Sequence, residues 1–347
     1  MKQYETRILP ALQADALSEA ARFLRAGELV GFPTETVYGL GANATDAQAV
    51  LRIFEAKGRP ADNPLIVHIA SLKDLRPLVK GSDSRAKTLA DHFWPGPLTM
   101  IFQRSAIVPS VVSAGLDTIA VRFPAHKAAQ ALILAAGCPI AAPSANRSGK
   151  PSPTTAGHVF EDMNGRIPLI LDGGPCSVGV ESTVLDLTGE HPTVLRPGGV
   201  TIEMLGQFLP DVCVDDAVLA PLSQNKSVRS PGMKYKHYAP AAHVTVVRGS
   251  PEFLAKKYDM EVACGKKAAI LCSNPALYGN RLVFPIGETN AEMAAMLFKT
   301  LRRLDEEGVE IAFAEATGTD GMGMALMNRL LRAAGFDVIE EMKADGV

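Results

Sequence analysis

The sequence predicts an α/β protein of mixed α+β type with two domains, a larger one with a mixed sheet and a smaller, open, Rossmann-like one. Its 347 residues are more than a domain with a single hydrophobic core usually contains. Apolar residues make up 47% of the chain, which is enough to build two cores. Before residue 210 several strand patterns follow one another without a helix, which favours a mixed sheet. From His243 onward strands and helices alternate, as in a largely parallel layer. We therefore predict domains at 1–209 and 242–347, joined by a linker at 210–241.

Capping residues and hydrophobic spacing place the helices of the first domain. Asp15 to Gly27 is predicted as a helix, because apolar residues recur at three- and four-residue spacing and Gly27 favours its end. Thr45-Asp46 can cap a second helix that ends near Lys57-Gly58, and Thr201 a last one that ends at Phe208. Short apolar stretches predict strands at 29–32, 65–69, 98–102, 119–123, 139–142, 169–171, 183–187 and 193–196.

Residues 39–44 match the Gly-x-Gly-x-x-Ala pattern of dinucleotide sites. No clear strand ending in an acidic residue follows about 20 positions later, as such a site requires. We therefore interpret Gly39 and Gly41 as part of a backbone turn. A P-loop is excluded, because the sequence contains no Gly-x-x-x-x-Gly-Lys-Ser/Thr.

The last hundred residues predict the smaller domain, which follows a polar, proline-bearing linker. Strands are expected at 244–247, 268–272 and 311–314, and helices at 251–258, 291–306 and 324–334. The linker segment 230–240 is dense in tyrosine, lysine and histidine, which is unusual for an inert spacer. This density suggests a lid formed by Lys234, Tyr235, His237 and Tyr238, which would close over the first domain's pocket when substrates are bound. A plain tether is the alternative.

Composition excludes several classes of protein. A net charge of −2 argues against nonspecific coating of nucleic acid, although a local phosphate pocket stays possible. The longest apolar run, 131–142, is too short to span a bilayer, and residues 1–7 lack the apolar stretch of a signal peptide. No two of the five cysteines form a Cys-x-x-Cys pair, which indicates reduced thiols in a cytoplasmic protein without a zinc ribbon.

Three polar features each allow a functional and a structural interpretation. Lys57 and Arg59, both expected at the surface, suit a polyphosphate, but they would also favour a helix C-terminus. His68 lies within a predicted buried strand, where it could contact a ligand or could be an ordinary core histidine. Residues 143–149 place small polar groups after a strand, where open sheets bind ligands and where ordinary turns also occur.

These polar features belong to a series of seven motifs, which follow one another over about 150 residues of the sequence. They are Pro33-Thr34-Glu35-Thr36-Val37-Tyr38-Gly39-Leu40, Lys57-x-Arg59-Pro60, Pro64-Leu65-x-x-His68, Trp94-Pro95-Gly96-Pro97-Leu98-Thr99, Val121-Arg122-Phe123-Pro124, Pro143-Ser144-Ala145-Asn146 and Glu181-Ser182-Thr183. Together they closely resemble the YrdC-like family of threonylcarbamoyl-AMP synthases, and the linker resembles that of its two-domain branch. The resemblance implies a twisted mixed sheet, flanked by helices, whose concave basic face holds a nucleotide.

The resemblance also implies a reaction. ATP, L-threonine and bicarbonate would form threonylcarbamoyl-adenylate and pyrophosphate, and downstream threonylcarbamoyl-transferase machinery would use the product to modify tRNA. The displacement needs positioned substrates and neutralised phosphate charge rather than a protein nucleophile, and no Gly-x-Ser-x-Gly occurs. Magnesium would accompany ATP, held mostly by phosphate and water. Direct contact with tRNA is a weaker expectation.

The family's site residues can be carried over position by position. Lys57 and Arg59 would be the catalytic pair that grips the triphosphate. The implied ATP contacts are Lys57, Arg59, Asn63, Thr118, Ser144, Asn146, Ser152, Arg196 and Tyr238. The implied threonine contacts are Thr36, His68, Arg122, Ala142 and Ser182, with Thr34 and Tyr38 lining the same loop.

Two other classes of function fit parts of this pattern. A basic concave surface could bind RNA alone, but such a module has no use for His68 and Ser182 beside Lys57. The carbamoyl transferase of hydrogenase maturation also contains a YrdC-like domain. That class carries zinc-ribbon cysteine pairs, which this sequence lacks.

Overall fold

The computed structural model describes residues 3–81, 83–220 and 237–342. These residues form two compact units. The first is built from residues up to 148 and from 152–218, and the second from 149–151, 219–220 and 237–342. Each unit contains one sheet, which confirms the predicted fold class of a larger and a smaller α/β unit.

The sheet of the first unit has eleven strands among the described residues. They are β1 (Arg7–Pro10), β2 (Val30–Phe32), β3 (Gly39–Asn43), β4 (Ile66–His68), β5 (Leu98–Gln103), β6 (Thr118–Arg122), β7 (Ile140–Ala142), β8 (Leu169–Asp172), β9 (Thr183–Asp186), β10 (Thr193–Arg196) and β11 (Cys213–Val214). Their order across the sheet is β1-β8-β2-β3-β7-β4-β6-β5-β9-β10-β11. β4 pairs parallel with β6 and antiparallel with β7, so the sheet is mixed, as predicted. β11 pairs with β10, so the sheet extends into the segment predicted as linker.

Six helices of the described chain accompany this sheet. They are α1 (Ala14–Arg25), α2 (Ala47–Lys57), α3 (Ser84–Phe93), α4 (Lys127–Ala136), α5 (Ala156–Met163) and α6 (Ile202–Gly206). α2 begins after Asp46, whose side chain accepts hydrogen bonds from the backbone N–H groups of Gln48 and Ala49. It ends at Gly58, whose φ of 62° suits glycine. Lys57 is therefore fixed on the last turn of α2.

Helices cover both faces of the sheet, because alternate strand residues point to opposite sides. In β8, Leu169 and Leu171 pack in one core cluster with residues of α1 and α4. Ile170 packs in the opposite cluster with residues of α2, α3 and α5. We call these sides the α1/α4 face and the α2 face.

The interpretation of residues 39–44 as a turn is wrong, because Gly39 to Asn43 form strand β3 between β2 and β7. A Cβ atom on Gly39 would lie 2.8 Å from the ring of Phe32, and one on Gly41 would lie 2.8 Å from Ile140 Cγ2. The glycines therefore make room for neighbouring side chains on the α1/α4 face, not for a change of chain direction.

The second unit has a five-stranded sheet in the order β14-β13-β15-β12-β16. Its elements are β12 (His243–Arg248), α7 (Pro251–Ala263), β13 (Ala268–Cys272), β14 (Val283–Pro285), α8 (Asn290–Glu306), β15 (Ile311–Glu315), α9 (Gly321–Ala334) and β16 (Val338–Glu340). All four strand pairs are parallel, which confirms the predicted layer. Among the described helices, none is both long and apolar enough to cross a membrane.

Candidate active site

Several of the predicted polar residues lie on one part of the α1/α4 face. Ile66 stands opposite Ala142, which packs in the α1/α4 cluster, so both side chains share that face. His68 and Arg122 point the same way, because His68 lies two residues beyond Ile66 and pairs with Arg122. Thr99 of β5 pairs with Arg122 from the other side. The strands β4, β6 and β5 thus present three polar side chains side by side.

A β-bulge brings Arg196 to the same face. With regular pairing, Arg196 would share the side of Val194, which packs on the α2 face. The register of β10 against β9 shifts between these two residues, so that Arg196 stands opposite Val184. Its guanidinium then donates to the carbonyl oxygen of Ser182 at 3.1 Å and to Ser182 Oγ at 3.2 Å.

The strand register divides the predicted residues into two groups. β4 and β6 are parallel, and His68 stands opposite Arg122 at their carboxyl ends. Asn63 precedes β4 and Thr118 begins β6, so both lie toward the amino ends. Thr118 and Arg122 are four positions apart along β6, which corresponds to about 13 Å. We call the two groups the Arg122 end and the Asn63 end.

Three protein acceptors orient the guanidinium at the Arg122 end. Arg122 is 3% exposed, and its Nη2 lies 2.6 Å from Glu35 Oε1. Nη1 donates to Thr36 Oγ1 at 2.8 Å, and Nε donates to the carbonyl oxygen of Gly96 at 3.2 Å. A guanidinium has five N–H groups, and the two hydrogen bonds use one on Nη1 and one on Nε, so that further N–H groups on Nη1 and Nη2 can serve a ligand.

The loop after β2 supplies two of those acceptors, and Thr34 folds it. Thr34 Oγ1 donates to the carbonyl oxygen of Val37 at 2.6 Å and accepts the backbone N–H groups of Thr36 and Val37. Tyr38 is fully buried and donates its hydroxyl to the carbonyl oxygen of Gly174 at 2.7 Å. Thr34 and Tyr38 therefore shape the loop that holds Glu35 and Thr36.

His68 contributes an uncharged imidazole. Burial, and after it the Arg122 cation, lowers the pKa of His68 to about 3. Its ring lies edge-on to Phe32 with centroids 5.9 Å apart. At neutral pH this side chain can exchange hydrogen bonds with a hydroxyl without adding charge.

A pair of hydroxyl groups completes the Arg122 end. Ser182 Oγ lies 2.8 Å from Thr99 Oγ1, and both side chains are buried. The chain after Arg196 packs directly on this segment, since a Cβ atom on Gly198 would lie 2.4 Å from the Glu181 carbonyl oxygen. The glycine permits this backbone contact.

Lys57 does not fit the expected picture of an exposed phosphate-binding cation. It is 3% exposed, because the loop after β7 packs on the last turn of α2. Its ammonium donates to the carbonyl oxygens of Ser144, at 2.5 Å, and Asn146, and lies 3.3 Å from Asn146 Oδ1. These acceptors match its three N–H groups. The expected surface position is therefore wrong, and in this structure Lys57 holds the loop.

The other residues of the Asn63 end offer hydroxyl, amide and guanidinium groups. Arg59 is half-buried, and its Nη2 lies 3.5 Å from the carbonyl oxygen of Asn63. Ser144 follows Ala142 and donates its hydroxyl to Asn146 Oδ1 at 2.5 Å. Near the other group, Ser152 is buried and donates to Glu181 Oε1 at 2.5 Å.

The remaining predicted residues belong to the linker region. Lys234 and Tyr235 lie outside the described residues. Tyr238 belongs to the second unit, where its ring centroid lies 5.1 Å from that of Phe298 and 5.8 Å from the guanidinium carbon of Arg329. His237 stacks obliquely beside it, with ring centroids 5.7 Å apart.

Sequence reasoning assigned no role to Glu35, Thr99 or Glu181, which contact predicted site residues. All three lie within or beside the quoted motifs, so the motifs could have drawn attention to them. Their partners are far away in the sequence, and only the strand register brings them together.

Comparison with known proteins identifies the family of the chain. A family model described as Sua5/YciO/YrdC, telomere recombination, matches residues 22–198, and one described as the C-terminal domain of threonylcarbamoyl-AMP synthase matches residues 200–335. Threonylcarbamoyl-AMP synthase of Pyrococcus abyssi is 50% identical over 325 residues, which cover 92% of this chain and 94% of the relative. The chain belongs to the two-domain Sua5 family.

Further members of the Sua5 family match over the same extent. Threonylcarbamoyl-AMP synthase of Bacillus subtilis is 47% identical over 93% of this chain and 94% of its own length. The crystal structure of P. abyssi Sua5 complexed with L-threonine has a TM-score of 0.91 and 47% identity, covering 97% of this chain and 99% of that one. The likeness therefore extends over both units.

Proposed function

We propose that this chain is a threonylcarbamoyl-AMP synthase, a nucleotidyltransferase that makes L-threonylcarbamoyladenylate and pyrophosphate from ATP, L-threonine and bicarbonate. The observation that carries this proposal is the division of the polar side chains into two groups, marked by Thr118 and Arg122 at opposite ends of β6, about 13 Å apart along the strand. One end has the groups that an amino acid with a hydroxyl requires. The other has the groups that a nucleotide and its phosphates require.

The amino acid binds at the Arg122 end. The remaining N–H groups of Arg122 donate to its carboxylate, because a guanidinium fork matches a carboxylate. Thr36, the neutral His68 and Ser182 surround its hydroxyl with donors and acceptors. Threonine is the choice supported by the relative from P. abyssi, whose structure contains L-threonine.

The nucleotide binds at the Asn63 end and extends toward the Arg122 end. Arg59 provides charge for the triphosphate, and Lys57 keeps the Ser144–Asn146 loop in the shape that its contacts need. The further contacts proposed for ATP are Asn63, Thr118, Ser144, Asn146, Ser152 and Arg196. The bulge in β10 sets Arg196 beside Ser182, where the two substrates would meet.

The chemistry needs positioning more than a protein nucleophile. The threonine nitrogen loses the extra proton of its ammonium form and bonds to the carbon of bicarbonate with loss of water, which gives a carbamate. A carbamate oxygen then forms a bond to the α-phosphorus of ATP while the bond to the β-phosphate oxygen breaks, and pyrophosphate leaves. Fixed cations at both ends favour this alignment.

The fit of magnesium follows from the donor groups present. Among the residues that the structure describes, no cluster of three or more His, Cys, Asp or Glu side chains could hold a metal. Glu35 and Glu181 are engaged by Arg122 and Ser152. These residues fit a magnesium ion that arrives with ATP and keeps phosphate and water ligands, where it would neutralise phosphate charge.

Three parts of the proposal concern the wider context. The product passes to downstream machinery that modifies tRNA, and the protein works in the cytoplasm. Lys234, Tyr235, His237 and Tyr238 form a lid that protects the reactive adenylate from water, and Tyr238 contacts the nucleotide.

A pyrophosphate-release assay with ATP, bicarbonate and one amino acid at a time tests the proposed function. We expect turnover with threonine, and a rate with serine nearer to it than the rate with 2-aminobutyrate. A site that hydrogen-bonds a hydroxyl rejects an analogue without the hydroxyl, such as 2-aminobutyrate, more strongly than it rejects an analogue without the methyl group, such as serine. Release that is independent of the amino acid would refute the proposal. Equal rates for the three would show that the hydroxyl is not recognised.

A further inference from the structure

A buried carboxylate pairs with the main cation of the proposed amino-acid site. Glu35 is 8% exposed and lies 2.6 Å from Nη2 of Arg122, which is 3% exposed. The backbone of Glu35 is fixed as well, because its carbonyl oxygen accepts the N–H of Val178 at 2.8 Å. The ion pair is therefore part of the built site, and any ligand that uses Arg122 shares it with Glu35.

Glu35 carries its negative charge under working conditions. Burial alone would raise the pKa of this carboxyl group, but the Arg122 cation and hydrogen bonds from backbone N–H groups bring it below its ordinary value. His68 is neutral at the same pH. The Arg122–Glu35 pair therefore contributes one positive and one negative charge, and the guanidinium of Arg196 lies beside Ser182 at the same end.

This balance determines which ligands the site favours. Arg122 without Glu35 would be a buried, uncompensated cation, which attracts any small anion that can reach it. Bicarbonate, phosphate and simple carboxylates would then compete for the guanidinium. Arg122 paired with Glu35 has no net charge, so the pair attracts a simple anion less strongly than an unpaired Arg122 would. An amino acid zwitterion has a carboxylate that can pair with Arg122 and a positively charged ammonium group that is attracted to the nearby Glu35 carboxylate.

We propose that Glu35 is a specificity-determining residue, which makes the Arg122 site select a zwitterionic amino acid over a simple anion. The inference rests on the proposed function, because it assigns the amino acid to the Arg122 end. It gives the Glu-Thr pair of the Pro33–Thr36 loop two tasks. Thr36 orients Arg122 with its hydroxyl, and Glu35 cancels the charge of Arg122.

The test uses (R)-3-hydroxybutyrate, which is threonine without its amino group, and inorganic phosphate. We measure Kd values for threonine and both anions by calorimetry with the full-length wild type and the Glu35→Gln variant. Glutamine keeps the size of the side chain and removes its charge. We expect the anions to bind Glu35→Gln at least about tenfold more tightly than wild type, while threonine binds no more tightly.

Tighter binding of the anions without tighter binding of threonine distinguishes selectivity from structural damage, which would weaken the binding of every ligand. Glu35→Asp keeps the charge and should discriminate against anions as the wild type does. Glu28→Gln is a matched control, because Glu28 also pairs with an arginine, Arg52, at 3.5 Å, and should change no Kd. Unchanged anion binding by a folded Glu35→Gln protein would overturn the proposal. These measurements need no turnover, so they stand apart from the pyrophosphate assay that tests the proposed function.

Discussion

Lys57 and Arg59 are two positions apart, but burial gives them different roles. Arg59 follows the end of α2 and is half-buried. The ammonium of Lys57, in contrast, is enclosed by carbonyl oxygens of the loop after β7. Charge and spacing in the sequence suggested one shared role for both cations. They could not indicate which cation a distant loop would cover.

Removal of the Lys57 charge is therefore expected to reduce stability as well as activity. Lys57→Met keeps the methylene stem but leaves buried carbonyl oxygens without a donor, at a cost of about 1–3 kcal/mol. Arg59→Ala should slow pyrophosphate release at least about tenfold with little change in Tm, because a half-exposed cation adds little stability. Thermal unfolding and pyrophosphate release measure the two effects. Wild-type values of both for Lys57→Met would contradict the assignment.

Glu35 shows the limit of prediction at the level of single residues. The motif Pro33–Thr36 identified the loop, and the resemblance assigned Thr36 to the site. Nothing in the sequence pairs Glu35 with Arg122, because their contact depends on the position of β6 relative to the loop after β2. Residues recognised by type were predicted, whereas their partners required the register.

At the level of elements, the sequence predicted β13 and α2, which have clear apolar patterns or caps. It did not predict β3, whose residues depend on close packing across the sheet. The predicted strand 268–272 coincides with β13, and α2 has the predicted cap and end. β3 was missed because its glycines resemble turn residues, and their purpose depends on the ring of Phe32 across the sheet. The bulge that turns Arg196 is likewise a property of the pairing of two strands.

The close packing at β3 makes a direct prediction. In Gly41→Ala the new Cβ atom would lie 2.8 Å from Ile140 Cγ2 and 3.0 Å from the Phe32 ring, so neighbouring side chains must shift. We expect a loss of about 1–3 kcal/mol in the free energy of unfolding, measured by urea denaturation. Gly206→Ala is the control, because its Cβ atom would meet no other atom within 4 Å. Equal stability of the two variants would show that β3 tolerates a side chain.

At the level of the whole molecule, the sequence predicted two α/β units because the order of strands and helices changes character after residue 243. It did not predict that the first sheet continues to Val214, since a two-residue strand gives no periodic signal. The residues between the units carry the least regular pattern and the densest group of aromatic and basic side chains. That composition is the basis for the proposed lid.

Limited proteolysis tests the lid directly. We expect trypsin to cut the free protein rapidly after Lys234 and Lys236, and ATP with threonine to slow this cleavage more than either substrate alone. The reason is that a mixed anhydride survives only where water is excluded, so closure should require both substrates. His237→Ala combined with Tyr238→Ala should lose the protection and most of the activity. Tyr238→Phe keeps the ring that packs on Phe298 and should keep much of both. If the substrates do not change the rate of cleavage and the double variant has normal activity, the segment is a tether and not a lid.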